Sequence, residues 1–274
     1  KVLNFLNKSE IAVVPSRWEE PFGRTALESS SRACATIISN RGGLPETTDS
    51  CVILKNLSSK ELYLSLKKLI KNNKLRDGFI YLQITRGTSP RNHQFPKKVN
   101  PNIVIFCFPK KDLNLLKKGV SIGLSEDLRW NRCDIKSISL LPNLLEKQKA
   151  VEMGYYEIWQ TRENFVTEGS TSNAFIVNSD KVILTHPSNN LILGGVTRDC
   201  IIEIASKNKI PLKEKAFTIR DLNNCNEAFL SSTTAGVLPV IKVNDIVIKK
   251  GKIGEITTKL MKLYNNFIED QLNE

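Results

Sequence analysis

The spacing of hydrophobic and polar positions changes near Gly78 and divides the chain into two stretches. Before Gly78, short apolar runs alternate with a helix-like segment, which predicts the β-α-β rhythm of a parallel α/β sheet. An amphipathic helix follows, with Leu62, Leu66, Leu69 and Ile70 on one face. The strands are predicted in EIAVVPSR, ATIISN and CVILKN, and the helices in RTALESSSRA and KELYLSLKKLIKNN.

The stretch after Gly78 predicts many strands with interspersed helices and few strict β-α-β units, which indicates an α+β fold. FIYLQITRG alternates like a strand, and the apolar run NPNIVIFCF predicts a fully buried one. NAFIVNSDKVILTHP predicts a hairpin that turns at residues 178–180. Further strands are predicted in VSIGLSEDLRW, YYEIWQTRENFVTEG, EAFLSSTT and LPVIKVNDIVI, and helices in PNLLEKQKAVEMG, TRDCIIEIASKNK and EITTKLMKLYNNFIEDQL.

Composition and charge narrow the possible partners. The chain has 274 residues, of which 41% are hydrophobic and 25% charged, as in ordinary globular proteins. The net charge of +12 is spread thinly, with no arginine-rich tract, so we expect no nucleic-acid partner. No apolar run approaches the ~20 residues that cross a bilayer, so we expect no membrane span. The first residue is Lys1 rather than Met, so we expect that the sequence begins inside something larger or that its start has been processed or lost.

Cysteine and histidine usage argues against a metal site. The six cysteines form no C-x-x-C pair, and the histidines are only His93 and His186. Several cysteines lie in apolar runs, where a free thiol behaves as a small core residue. We therefore expect no metal and a reducing, cytoplasmic location.

Four features after Gly78 would each be ordinary alone, but together they offer a complementary set of chemical groups. Lys136 in RWNRCDIKS carries an amine that can form a Schiff base with an aldehyde. Glu168 in VTEGSTSN carries a carboxylate that can hold a protonated ring nitrogen. The turn GGVTRD and the hydroxyl cluster at 231–234 are natural phosphate holders. Aldehyde, ring nitrogen and phosphate are the three handles of pyridoxal phosphate.

Residues from about 70 to the end resemble the class IV, or fold-type-IV, aminotransferases, and most closely the D-amino-acid transaminases. The resemblance implies an α+β enzyme with a truncated small domain and a large mixed α/β domain. It also implies pyridoxal phosphate as cofactor, an amino acid and a 2-oxo acid as substrates, and a homodimer. The matching segments are FIYLQITRGTSPRNHQFP, EDLRWNRCDIKSISLLPNLLEKQKA, EIWQTRENFVTEGSTSNAFIV, THPSNNLILGGVTRD and FLSSTTAGVLPVI.

By position, the resemblance implies the residues of the cofactor site. Lys136, which we expect to be buried, is implied to hold the cofactor as a Schiff base and to move the proton of the substrate α-carbon. Glu168 is implied to pair with the pyridine nitrogen, and Leu193 to pack against the ring. The implied phosphate ligands are Val196, Thr197, Ser232 and Thr233.

The TSPRNH stretch matches a carboxylate trap. The resemblance implies that Arg91 and His93 capture the substrate carboxylate across a dimer interface. Arginine suits this role because its planar fork binds a carboxylate bidentately. The Arg-x-His pair favours D-amino acids. Branched-chain aminotransferases and aminodeoxychorismate lyases share the lysine and the glutamate and remain the alternative.

The first quarter resembles a different family. EIAVVPSRWEEPFGRTALESSSRACATIISNRGGLPETT is similar to the C-terminal half of a GT-B glycosyltransferase of family 4, a Rossmann-like α/β fragment. Glu20 and Glu28 form an E-x7-E pattern, which in that family handles the nucleotide sugar. The tyrosine and the phosphate-binding arginine with which D-amino-acid transaminases begin have no counterpart here.

The two resemblances predict four segments and a hybrid function. They are a glycosyltransferase-like fragment (1–57), a junction helix (58–77), a small-domain remnant (78–116) and the cofactor-binding large domain (117–274). We expect a transaminase acting on D-amino acids that is impaired by its foreign N-terminal segment. The alternatives are a remnant of a nucleotide-sugar glycosyltransferase and a folded relic with neither activity.

Overall fold

The computed structural model of the chain describes residues 11–14, 35–38, 59–97, 99, 101–109 and 115–273. The chain divides into two compact units, Lys1–Asp112 and Leu113–Glu274. The second unit thus starts just before the predicted beginning of the large domain at 117.

The first unit contains a pair of parallel strands near its start. Strand β1 (Ile11–Val14) pairs in parallel with β2 (Ala35–Ile38), as the β-α-β pattern of the sequence predicts. The predicted strand CVILKN and the predicted helix RTALESSSRA lie outside the described residues, and so do Glu20 and Glu28.

Helix α1 spans Ser59–Asn72, within the segment predicted as a junction helix. Leu69 is buried, and Leu62, Leu66 and Ile70 are partly buried, whereas the lysines of the helix are exposed. The predicted apolar face is therefore confirmed, because the four residues recur at helical spacing on the side that packs.

A two-stranded hairpin completes the first unit. Strand β3 (Gly78–Thr85) runs antiparallel to β4 (Asn102–Pro109), and the rings of Tyr81 and Phe106 stack with centroids 4.6 Å apart. The prediction that NPNIVIFCF forms a fully buried strand is wrong, because no residue of β4 is buried. An apolar run is buried on both faces only when both faces are covered, and two strands alone do not provide that cover.

The second unit is built on a sheet of nine strands in its described part. Their bounds are β5 (Val120–Glu126), β6 (Glu157–Arg162), β7 (Phe165–Gly169), β8 (Asn173–Val177), β9 (Ile183–Thr185), β10 (Leu212–Glu214), β11 (Glu227–Ser232), β12 (Gly236–Val243) and β13 (Ile246–Val247). The strand order is β10-β9-β8-β11-β12-β5-β6-β7, and β13 pairs with β12. Parallel and antiparallel pairs mix in this sheet, and the fold is α+β as predicted.

The sheet curls so that its end strand β7 returns to β8. In the strand order, β7 lies five steps from β8, which would be about 24 Å in a flat sheet. The chain nevertheless connects the two strands through residues 170–172, and the Gly169 N–H donates to the Ser172 carbonyl at 2.7 Å. A turn this short cannot cross a flat sheet, so β7 and β8 lie together.

Helices pack on the sheet. The described helices of this unit are α2 (Leu115–Lys118), α3 (Leu141–Glu152), α4 (Val196–Lys207), α5 (Ile219–Asn223) and α6 (Glu255–Asn273). The long helices α3, α4 and α6 agree with the sequence prediction, whereas the short helices α2 and α5 are too brief to show a periodic pattern. None of the helices in the described residues is long and apolar enough to cross a membrane.

Each face of the sheet has its own hydrophobic core. Neighbouring residues of a strand point to opposite faces, so that Phe175 and Ile176 of β8 belong to different cores. Phe175 stacks on Phe229 of β11 with ring centroids 4.7 Å apart. Helices α4 and α6 close this second core with Ile201 and Leu260, which are almost without exposure. The two cores make the sheet a rigid base for polar residues at its strand ends.

Candidate active site

Glu168 lies beside a β-bulge near the end of β7. Trp159 of β6 is opposite Gly169, but Thr161 is opposite Val166, so β7 carries one more residue than β6 over this stretch. A bulge changes the direction in which a side chain points, and bulges are common next to active sites. Glu168 is 5% exposed, which places its carboxylate in the interior of the unit.

Three donors surround the carboxylate of Glu168. Arg129 Nη1 donates to Oε1, and Asn173 Nδ2 donates to Oε2 at 3.0 Å. The backbone N–H of Leu193 donates to both oxygens at 3.0 and 3.1 Å. Asn173 Nδ2 also donates to the Leu193 carbonyl at 2.8 Å, and this fixes the orientation of the amide. None of these groups can accept a proton from Glu168, so the shell suits the ionised carboxylate.

Burial and these donors act in opposite directions on Glu168. Burial is the largest influence and raises the pKa of Glu168, while the charge and hydrogen bond of Arg129 and the Leu193 N–H act in the opposite direction and favour the ionised form; the resulting pKa is about 7. A cationic N–H donor placed against the carboxylate would favour the ionised form.

Arg129 itself is fixed by a second buried carboxylate. Its Nε and Nη2 donate side-on to Asp127 at 2.9 and 2.8 Å, while Nη1 reaches Glu168. Burial alone would raise the pKa of Asp127, but the hydrogen bonds and charge of Arg129 lower it to about 2. Asp127 also accepts from Thr167 Oγ1 at 2.9 Å and pairs with Arg162 Nε at 3.2 Å. Two cations and two carboxylates thus form one buried network.

The N-terminus of α4 and the turn before it form a cradle next to Glu168. Gly195 precedes α4, and no side chain caps the helix. A Cβ at Gly195 would collide with Asn173 Oδ1, so this close approach requires glycine. Val196 is 77% exposed and Thr197 is buried. An uncapped helix N-terminus with free N–H groups is a natural anion site.

The predicted hydroxyl ligands lie at the end of the neighbouring strand. Ser231 of β11 is opposite Asn173 of β8, so Ser232 and Thr233 follow at the strand end where Asn173 begins β8. Ser232 is partly buried and Thr233 is exposed. Ser231, to which the sequence gave no individual role, is buried with a hydroxyl that has no hydrogen-bond partner in the described part of the chain. The sheet register thus brings the predicted hydroxyls to the same end as the cradle.

Glu157 supports the turn that joins Glu168 to Asn173. Its buried carboxylate accepts from the Thr171 hydroxyl at 2.8 Å, from the Ser172 hydroxyl at 3.1 Å and from the Ser170 hydroxyl. A buried carboxylate that accepts hydrogen bonds from three hydroxyls of one turn holds that turn rigid. The EGSTSN sequence therefore folds as one supported corner.

Lys136 lies in the segment 127–140 between β5 and α3, which contains turns but no helix or strand. The prediction that this lysine is buried is wrong, because its side chain is exposed. The apolar neighbours Ile135 and Ile138 are exposed as well. The reason is that no element of its own unit packs over this part of the loop, so burial would need another surface.

The other predicted site residues are half-buried or exposed. Leu193 is partly buried, with its N–H on Glu168. Arg91 and His93 lie in the exposed connection between β3 and β4 of the first unit. Within the described residues, no group of three or more His, Cys, Asp or Glu side chains could hold a metal ion.

Sequence reasoning missed Arg129, Asp127 and Asn173 as site residues. Asp127 and Arg129 belong to the EDLRWNRCDIKS segment, and Asn173 ends EGSTSN, so all three lie in the segments that carry the family resemblance. A charged pair at the end of an apolar strand was the available signal. Its meaning depends on the β7 bulge that brings Glu168 to Arg129, which the sequence pattern does not reveal.

Comparisons with known proteins match the chain to two families. The family model for amino-transferase class IV matches residues 48–243, and the model for glycosyl transferases group 1 matches residues 1–83. The D-alanine aminotransferase of Staphylococcus aureus (strain N315) is 45% identical over 216 residues, which are 78% of this chain and 76% of that protein. The D-alanine aminotransferase of Bacillus licheniformis is 40% identical over 214 residues, covering 78% and 75%.

A solved structure shows the same fold. The branched-chain amino acid aminotransferase of Escherichia coli superimposes with a TM-score of 0.66 at 26% identity, covering 76% of this chain and 71% of that one. The match at residues 1–83 agrees with the predicted glycosyltransferase-like start of the chain.

Proposed function

The chain belongs to the class IV amino-transferases, and we propose that its large unit transfers an amino group between a D-amino acid and a 2-oxo acid. Enzymes of this family depend on pyridoxal phosphate. The observation that carries the proposal is the buried carboxylate of Glu168, surrounded by donors and placed beside an uncapped helix N-terminus.

The residues of the large unit fit this cofactor. Glu168 offers an anion for a protonated ring nitrogen, and a ring N–H would replace none of its present donors, because a carboxylate accepts about four hydrogen bonds. The cradle of Gly195, Val196 and Thr197 offers N–H and hydroxyl donors to a phosphate. Ser232 and Thr233 lie at the same strand end and add hydroxyls.

When bound, pyridoxal phosphate supplies an aldehyde for an amine and a ring that withdraws electrons from the substrate α-carbon. Lys136 Nζ would be the amine that meets this aldehyde and, once free, would hold the proton of the substrate α-carbon. Glu168 would hold the proton on the ring nitrogen and so strengthen the withdrawal of electrons. Leu193 would pack against the ring, and the cradle would hold the phosphate.

D-amino acids are the proposed substrates. The curated relatives at 40–45% identity are D-alanine aminotransferases, whereas the branched-chain enzyme is 26% identical. Arg91 and His93 in TSPRNH are the proposed carboxylate trap, since an arginine fork fits a carboxylate and the histidine adds a donor. Their exposed position in the first unit leaves them free to meet a substrate.

We further propose that the enzyme works as a homodimer. Residues 128–145 carry many exposed large apolar side chains around Lys136, which is unusual for a monomer surface. They are Leu128, Trp130, Ile135, Ile138, Leu140, Leu141, Leu144 and Leu145. A symmetric partner would cover them and bury the lysine that is exposed in the single chain. Sedimentation measures whether the chain is a dimer. We expect Leu144→Ser to weaken the dimer and Val247→Ser, at an equally exposed position far along the chain, to leave it unchanged.

The N-terminal segment is proposed to contribute no sugar transfer. The glycosyltransferase match covers residues 1–83, whereas the amino-transferase match covers residues 48–243 and most of the described elements. We propose a cytoplasmic location, which the free thiols of Cys107, Cys133 and Cys200 support.

A half-reaction tests the substrate class. The chain is loaded with pyridoxal phosphate and mixed with D-alanine, D-glutamate or L-leucine. We expect the D-amino acids to convert the yellow absorbance of the bound cofactor to that of its amine form, while L-leucine leaves the spectrum unchanged. A better reaction with L-leucine would instead assign the chain to the branched-chain enzymes.

A further inference from the structure

Arg129 is held between two buried carboxylates. The side chains of Asp127, Arg129 and Glu168 are exposed by 0%, 5% and 6%. Desolvated charges of this kind persist only where each one has a partner. The side-on fork to Asp127 uses Nε and Nη2 and therefore directs Nη1 at Glu168.

The two carboxylates depend on Arg129 to different degrees. Asp127 has a second cation, Arg162, whose Nε lies 3.2 Å away, and a hydroxyl donor in Thr167. Among the described residues, the hydrogen bonds of Glu168 include one from a cation, Arg129, and the others come from neutral amides. Removal of Arg129 would therefore leave Asp127 paired and Glu168 without a counter-charge.

We propose that Arg129 is a positioning residue that acts through Glu168: it keeps this carboxylate ionised and directed at the ring nitrogen of the cofactor. The second half of the proposal rests on the function proposed above, whereas the first half concerns the protein alone. A neutral Glu168 would carry its own proton and would have no charge with which to hold one on the ring.

Two titratable groups near the network, His186 and Cys133, have pKa values shifted towards their neutral forms. Burial lowers the pKa of His186, and the nearby charges of Arg198 and Arg129 lower it further. Burial raises the pKa of the Cys133 thiol, which is also within the field of Arg129, Asp127 and Glu168. The changing charge near pH 7 is therefore that of Glu168.

The first experiment uses the cofactor-free chain. The side-chain carboxyl carbon of Glu168 is followed by NMR as the pH is raised, and its signal is assigned by its loss in Glu168→Gln. We expect Arg129→Gln to raise the pKa of Glu168 by at least one unit, because it removes the cation from a buried carboxylate. An unchanged titration would overturn the proposal whether or not the chain binds pyridoxal phosphate.

The second experiment uses the cofactor-loaded chain. At pH 7, Arg129→Gln should give the same absorbance spectrum as Glu168→Gln, and the double variant should add nothing to either. At pH 10, where Glu168 is ionised again, Arg129→Gln should regain the spectrum of the parent at that pH, whereas Glu168→Gln should not. A purely structural role for Arg129 predicts neither this recovery nor the non-additivity with Glu168.

The chain offers a matched control for the lost arginine. Arg132 forms the same side-on fork with Asp134, at 3.0 and 2.9 Å, in the same loop but at an exposed position. Arg132→Gln should leave the pKa of Glu168 and the absorbance spectra at pH 7 and pH 10 unchanged. If Arg129→Gln does not fold, the double variant Asp127→Asn with Arg129→Gln replaces it, since removing both charges leaves no unpaired ion between them. Because the charge of Asp127 itself raises the pKa of Glu168, the double variant is compared with Asp127→Asn alone. It must show a higher pKa of Glu168 than that variant and the same recovery at pH 10, and the absence of either would overturn the proposal.

Discussion

The large sheet and the β3–β4 hairpin hold their candidate site residues in opposite environments, one buried and one exposed. In the sheet, Glu168 is buried, and each of its oxygens has fixed partners. In the hairpin unit, Arg91 and His93 are exposed on a connection without regular structure. The segment 127–140 combines both situations, since Arg129 is buried and Lys136 is exposed.

This difference shows which half of the proposed site is self-sufficient. Residues that would hold the ring nitrogen and the phosphate are positioned within one unit by buried hydrogen bonds. For the residues that would meet the substrate carboxylate, Arg91 and His93, the described residues of their own unit provide no such buried hydrogen bonds. We therefore expect cofactor binding to be the more robust property and transamination to depend on surfaces that the large unit does not contain.

The largest expected effect comes from replacing the first 77 residues by the corresponding segment of a D-alanine aminotransferase. The segment here matches glycosyl transferases over 1–83, and the family resemblance leads us to expect that it supplies neither the tyrosine nor the phosphate-binding arginine of those enzymes. Completing the site should restore the orientation of the substrate, so we expect D-alanine transamination to rise by about two orders of magnitude or more. If the original chain is already as fast as the replaced one, the N-terminal segment does not impair the enzyme.

Glu168→Gln should have the next largest effect. The amide cannot hold a proton on the ring nitrogen by charge, and the loss of a charge-assisted hydrogen bond of about 1.5–3 kcal/mol lowers the rate by roughly one to two orders of magnitude. Single-turnover rates with D-alanine measure this effect, and cofactor affinity should change far less. An unaltered rate would contradict the role of Glu168.

Gly195→Ala tests the phosphate cradle. The added Cβ would collide with Asn173 Oδ1, whose amide also holds Glu168 and the Leu193 carbonyl. We expect cofactor affinity, measured by fluorescence titration, to fall about tenfold, which corresponds to about 1.4 kcal/mol. Gly194→Ala is the control, because its Cβ would meet only the Ser188 hydroxyl at 2.9 Å, on a side chain that can rotate.

A separate expected effect, on stability rather than on cofactor binding or rate, is a pH dependence due to Asp127. Its folded-state pKa of about 2 lies below the ordinary value near 3.9, so its ion pair stabilises the fold above pH 4 and is lost as the pH falls from 4 towards 2. Asp127→Asn should therefore lower the free energy of unfolding in urea by about 2 kcal/mol at pH 6, and by much less at pH 2. The exposed Asp134→Asn should be close to the parent at both.

The sequence pattern predicted much of the fold because long amphipathic segments carry their own signal. The apolar face of α1, the β8–β9 hairpin and helices α3, α4 and α6 were all recognisable from spacing. The partial exposure of β4 was not recognisable from spacing. An apolar run shows that a strand can be buried on both faces, but the neighbouring elements determine whether it is.

The sequence predicted members of the candidate site but not the contacts between them. Lys136 and Glu168 follow from family motifs, whereas the contact between Arg129 and Glu168 joins residues 39 positions apart across a bulge. Asn173 as the bridge between Glu168 and the α4 cradle depends on sheet register in the same way. Such contacts arise from tertiary packing, which overrides local patterns.

The attachment point of the cofactor tests the account most directly. The chain is incubated with pyridoxal phosphate, reduced with borohydride and digested, and the labelled peptide is identified by mass spectrometry. We predict a stoichiometric label on Lys136, which Lys136→Ala abolishes, while Lys147→Ala, in the nearby helix α3, keeps it. A label on another lysine, or an undiminished label in Lys136→Ala, would contradict the assignment of the site.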